Sequence, residues 1–145
     1  MCIRDRTPIE DELKEDLEIE KIGMQIAMSF EISQGRNPED VSLQNLGFDI
    51  RSKAFDGSYR YIEVKARARE GKIALTPNEW LMANRLKDEY WLYVVVNVAT
   101  KPELYTIQNP ATKLKPNEVV EIVRYIVDKD DWKNIAKKEF IGEGT

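Results

Sequence analysis

The sequence predicts an α/β protein of the α+β type. A long N-terminal helix leads into a central mixed β-sheet of about five strands that starts with an antiparallel hairpin. A helix follows the third strand, and a short helix closes the chain. Three observations carry this expectation. Residues 47–69, GFDIRSKAFDGSYRYIEVKARAR, alternate apolar and polar side chains about the turn-forming Phe55-Asp56-Gly57. Residues 90–98, YWLYVVVNV, are almost continuously apolar, as a central strand covered on both faces would be. Thr-Pro-x-Glu occurs at Thr7 and again at Thr76, a helix start with threonine as N-cap, proline next and glutamate closing a capping box.

The first helix runs from Pro8 to Ser33-Gln34, with a break allowed, and Gly35 ends it. Glu10, Asp11, Glu12, Glu15 and Asp16 suit its N-terminus and solvent. Leu17, Met24, Ala27 and Met28 make a broad apolar face, extended by Ile22, Ile26 and Phe30. Glu20 and Glu31 fall within that face, where a carboxylate needs a partner. Asn37 to Asn45 reads as loop. In the hairpin, a turn closed by Gly57 in the left-handed region pairs Ala54 with Ser58, Ile50 with Ile62 and Asp49 with Glu63. Phe48 and Ile50 then share a buried face with Ile62, Val64 and Ala66. Asp49 and Arg51 share the other with Tyr61, Glu63, Lys65 and Arg67.

Lys72 to Leu75 reads as a short strand, and the helix from Thr76 carries Trp80, Leu81, Asn84 and Leu86. After the strand at 90–98 come a turn at Thr100-Lys101-Pro102, a strand over 103–107 and a loop over 109–116. Residues 119–127 fit a strand by their β-branched content and a helix by the spacing of Val119, Val120, Val123 and Ile126. Asp131-Trp132 opens the final helix.

Directly opposed residues of a hairpin have Cβ atoms about 4.5–5.5 Å apart. At that range the Asp49 and Glu63 carboxylates repel unless a proton or a cation lies between them. A hard divalent ion suits the pair, with water in its remaining positions. Lys65, about 6.7 Å along the strand from Glu63, brings an ammonium beside it. An ion, an activated water and a lysine near developing phosphorane charge make a phosphodiester hydrolysis site. The competing reading is a solvated sheet face of alternating charges. Arg67, Arg69 and Lys72 form a basic patch that either holds a nucleic-acid backbone or is simply solvated. Capping accounts for Thr76 and Glu79. The free N–H groups of that turn could still receive a phosphate beside Lys65, with Asn78 positioning it.

GFDI followed by YIEVKAR resembles the PD-(D/E)XK nuclease signature, in which an acid on one strand precedes Glu-x-Lys on the next. The series IGMQIAMSFEISQGRNPEDVS, GFDIRS, RYIEVKAR, LTPNEW and YWLYVV is similar to the NO VEIN C-terminal-like domain, over roughly residues 18–132. Such domains are nuclease-like modules often attached to helicases and restriction-type proteins. The resemblance implies a restriction-endonuclease-like core. It also implies a divalent-metal-dependent DNA endonuclease, accessory to a helicase or to a restriction or defence protein. By the same likeness, Asp49 and Glu63 would hold Mg²⁺ or Mn²⁺, Lys65 and Glu31 would complete the catalytic set, and Thr76, Asn78, Arg67 and Arg69 would contact substrate. Glu31 stands where these domains carry an acid on the first helix. Its alternative is an edge-of-core glutamate paired with Arg36 or Lys65. For the whole domain the alternative is a catalytically inactive module that docks nucleic acid or a partner protein.

At 145 residues the chain suffices for one sheet with helices packed on it. Its 42% hydrophobic and 33% charged residues fit a globular rather than a disordered chain. With a net charge of −4, any hold on DNA must rest on local basic groups or a partner domain. The absence of histidine excludes histidine triads, histidine bases and imidazole zinc sites. One cysteine excludes an internal disulfide framework. No apolar run reaches membrane-spanning length and no secretory segment is recognisable, so a cytoplasmic protein without a membrane partner is expected. Residues 1–6, MCIRDR, bear no relation to the rest of the chain and read as an adapter-derived artefact, a genuine short leader being the alternative. Residues 7–145 are then expected to be a single nuclease-like domain from the C-terminal part of a larger protein, with an upstream helicase or other domain.

Overall fold

A computed structural model of the protein describes residues 8–120 and 127–139. The chain divides into two compact units, with the boundary between Lys115 and Pro116. The first unit opens with α1, Pro8–Ser33, a helix of 26 residues without a break. Its expected N-cap, Thr7, lies outside the described residues. Gly35 ends the helix in the left-handed conformation (φ 76°), which lets the Arg36 N–H reach back to the Glu31 carbonyl at 3.0 Å.

One sheet follows, in the order β1 (Asn37–Asp40), β2 (Ile50–Lys53), β3 (Tyr59–Ala66), β4 (Tyr90–Val96) and β5 (Glu103–Gln108). Neighbours are antiparallel except β3 and β4, which run parallel. A parallel pair needs a crossover. Here α2, Pro77–Leu86, supplies it. The hairpin has the register its turn chemistry predicts. Ile50 faces Ile62, the Ala54 N–H donates to the Ser58 carbonyl at 2.7 Å, and Gly57 adopts φ 91°. β4 is interior, with Tyr90, Leu92, Tyr93 and Val95 fully buried. α2 begins with the complete capping box: Thr76 accepts from the Glu79 N–H, and Glu79 accepts from the Thr76 N–H.

The structure departs from the sequence reading at four places. Asn37–Asp40 is an edge strand rather than a loop. Its composition is poor for a strand, and pairing along β2 decides, with Pro38 tolerated at an edge. Lys72–Leu75 forms no strand, because β2 and β4 already flank β3, and it runs irregularly into Thr76. Pro110–Lys113 is a short helix, α3, within the expected loop. Phe48 does not share the face of Ile50. Gly47, at φ 89°, redirects the chain before β2, and Phe48 packs edge-on against Tyr61 with ring centroids 5.0 Å apart.

Two apolar clusters result. Ile50 and Ile62 join Ala27 and Tyr93, with Met24 and Val64 alongside, under α1. Phe48 joins Val41, Ala83 and Tyr90 under α2. The helices therefore cover opposite faces of the sheet, and the Asp49–Glu63 face is not a solvated one. In the second unit, α4 spans Lys129–Ile135, beginning before the expected Asp131. Residues 121–126, the middle of the segment that fits either helix or strand, lie outside the described residues. Among the described residues, no helix is long and apolar enough to cross a membrane.

Candidate active site

β2 stops pairing at Ile50–Ile62, whereas β3 continues to Ala66. A side chain takes over the ladder there. The Asp49 N–H donates to the Ile62 carbonyl at 2.8 Å, and the Asp49 carboxylate then turns across the gap so that Oδ2 accepts the Val64 N–H at 2.9 Å. Asp49 is thereby fixed beside Glu63. In an extended strand the carbonyl of a residue points to the same edge as its N–H, so the Val64 carbonyl offers a third oxygen along this opening.

Two glycines bring in the walls. A Cβ on Gly23 would lie 2.5 Å from the Cβ of Ala66, so α1 crosses β3 in near contact. Glu20, one turn earlier, then borders the opening. A Cβ on Gly47 would meet Met82 Cγ at 2.5 Å and the Asn78 carbonyl at 3.1 Å, which holds α2 close to the approach to Asp49. Between these walls lies a cleft of about 580 Å³ whose lining includes Glu20, Asp40, Asp49, Glu63, Lys65 and Glu79, with Arg67 beside them.

The carboxyl groups of Asp49 and Glu63 stand close enough for each to bear on the other's protonation. Burial, and then the charge of Asp49, pushes Glu63 up to about 9, so Glu63 holds a proton at neutral pH. Burial also raises Asp49, although the Val64 N–H works against it. Lys65 Nζ lies 2.8 Å from Glu79 Oε1 and 3.3 Å from Glu63 Oε2. Burial pulls the Lys65 ammonium down, but the hydrogen bond to Glu79 and the charges of Glu63 and Glu79 outweigh it, leaving its pKa above the ordinary lysine value.

Asp49, Glu63, Lys65 and Arg67 thus meet at one cleft. Arg69 borders an adjoining hollow of about 570 Å³ that shares Glu20 and Arg67 with it. Thr76 and Asn78 stand exposed in the first turn of α2, outside the cleft wall. Glu31 is elsewhere. It is fully buried near the C-terminal end of α1, with Arg36 Nε at 3.2 Å, Arg60 Nη1 at 3.4 Å and the Tyr93 hydroxyl donating to it. Of its two expected partners it has Arg36 and not Lys65. The acid that α1 brings to the cleft is Glu20. Sequence reasoning also passed over Glu79, whose capping role seemed to use it up, and Asp40.

Residues 19–107 match the family model described as Protein NO VEIN, C-terminal, which is more than half of the chain. The chain belongs to the NO VEIN C-terminal family. The match to this family contains β1 to β4, α2 and the part of α1 that faces the cleft, and so every cleft residue named above. No curated protein and no solved structure matches the chain.

The donor set fits a hard divalent cation. Asp49 and Glu63 both line the cleft, with the Val64 carbonyl on the same edge. Among the described residues, no group of three or more acidic, cysteine or histidine side chains converges into a complete cage. Two carboxylates, with water and substrate oxygens filling the remaining positions, is the mode in which Mg²⁺ is usually held.

Proposed function

We propose that this domain hydrolyses DNA phosphodiester bonds with Mg²⁺ or Mn²⁺ held by Asp49 and Glu63. One observation supports this above all: Asp49, fixed by the Val64 N–H, and the buried Glu63 line one cleft, with the Lys65 ammonium 3.3 Å from Glu63. A divalent cation held there would take the place of the proton on Glu63 and pair with both acids. When bound, it supplies an activated water and stabilises charge on the phosphate oxygens.

The chain's own groups do the rest. The Val64 N–H orients Asp49, and Glu63 releases its proton on forming the site. The Lys65 ammonium faces the negative charge that develops at phosphorus. Arg67 and Arg69, both exposed along the joined hollows, hold neighbouring phosphates. The acid–Glu-x-Lys order supports kinship with the PD-(D/E)XK nucleases. That kinship favours DNA as substrate, a cytoplasmic setting, and a role beside a helicase or restriction-type partner.

The test is purified protein incubated with linear and nicked DNA and Mg²⁺ or Mn²⁺, beside Lys65→Ala and Asp49→Asn. Wild type should cut, and each variant should lose at least about 100-fold in rate. Equal, metal-independent activity in all three would refute the proposal. A second reading, a non-catalytic module that docks a partner protein, draws on the surplus of acids over bases in the cleft lining, which disfavours a phosphate backbone. It predicts partner binding insensitive to EDTA and to Glu63→Gln, and no DNA cleavage with either metal.

A further inference from the structure

Glu79 does two things with one oxygen. Its Oε1 accepts the Thr76 N–H at 2.9 Å, completing the cap of α2, and accepts the Lys65 ammonium at 2.8 Å. Lys65 is also 3.3 Å from Glu63 Oε2, so two acids compete for it. The Glu79 bond is the shorter. Glu79 itself is anchored by the helix start, because the Thr76 hydroxyl accepts the Glu79 N–H at 3.1 Å. The lysine's long, flexible stem is therefore fixed at its tip by a rigid backbone element.

We infer that Glu79 is a positioning residue that draws the Lys65 ammonium to itself, so that the contact with Glu63 stays the longer one and the ammonium is aimed at substrate. This rests on the hydrolytic reading above. Without the Glu79 charge, Lys65 collapses onto Glu63 and competes directly with the cation for its carboxylate. The capping box thus ties the geometry of the lysine to the start of α2, on the far side of the cleft from α1. Glu79 does not touch the reacting atoms.

Glu79→Gln separates the two jobs. The amide oxygen still accepts the Thr76 N–H, so the helix cap and the melting temperature survive, while the charge holding Lys65 is gone. The expected result is kcat lower by about 10- to 100-fold with KM for DNA little changed, together with a higher Mg²⁺ concentration for half-maximal rate. An activity-independent readout is the Lys65 ammonium signal in a proton–nitrogen correlation spectrum of the metal-free protein, assigned by its loss in Lys65→Ala. It should be visible in wild type and shifted in Glu79→Gln, where Glu63 becomes its partner. An unchanged ammonium signal, or a fall in melting temperature that accounts for the whole activity loss, would overturn the inference. If wild type cuts no DNA, the hydrolytic reading fails by itself, and the ammonium signal alone decides whether Glu79 holds Lys65.

Discussion

Glu63 and Glu31 are both buried glutamates on apolar elements, and their partners give them opposite characters. Glu31 sits between two guanidinium groups and a tyrosine hydroxyl, with Arg60 also stacked 4.2 Å from the Trp91 ring centroid. It is a fastener between α1 and the sheet. Glu31→Gln leaves two arginines beside a neutral group. Urea unfolding should show a loss of roughly 3–5 kcal/mol, the usual cost of breaking a buried ion pair from one side, with cleavage per folded molecule unchanged. Glu63 faces another acid instead. Its ordinary pKa of 4.5 is raised to about 9 in the folded protein, so between those values the folded state binds a proton that the unfolded state has released. Stability of the metal-free protein must then fall as pH rises through that window. Thermal melts in EDTA from about pH 5 to pH 9 should show this decline, and Glu63→Gln should flatten it. A metal-free wild type equally stable across the range would contradict the proton on Glu63.

Among elements, the hairpin was legible in the sequence because two independent constraints agree. The Phe55-Asp56-Gly57 turn and the period of two both demand Ile50 opposite Ile62. Phe48 was misread because alternation holds only where the strand exists, and β2 begins at Ile50, after Gly47 has redirected the chain. The same limit applies to α1. Glu20 and Glu31 lie about three turns apart on one helix, and its periodicity gives both the same inward direction without saying where along its length the cleft falls. The contact of Gly23 with Ala66 settles that. Gly23→Ala puts a methyl group where no room exists, costing about 1–3 kcal/mol by overpacking or pushing α1 away. Cleavage by Gly23→Ala should drop more than its loss of stability explains, since Glu20 leaves the cleft with the helix. A fully active variant would show that α1 does not shape the site. β1 was missed for a different reason: Asn-Pro-Glu-Asp has no strand character of its own, and only the exposed edge of β2 recruits it.

For the whole molecule, the net charge of −4 is matched locally by a cleft in which Glu20, Asp40, Asp49, Glu63 and Glu79 outnumber Lys21, Lys65 and Arg67. On the proposed reading such a surface would repel a phosphodiester until a cation enters. A divalent ion in place of the proton on Glu63 would add one net positive charge, making substrate attraction conditional on metal. Fold and chemistry converge at the place where β2 ends before β3, which leaves Asp49 to bridge the edge and Glu63 to meet it. The most direct test is a crystal of the protein soaked in Mn²⁺ and measured for anomalous scattering. The account predicts a peak bound by both the Asp49 and Glu63 carboxylates, with Lys65 still on Glu79. A map with no peak between the two carboxylates would contradict it.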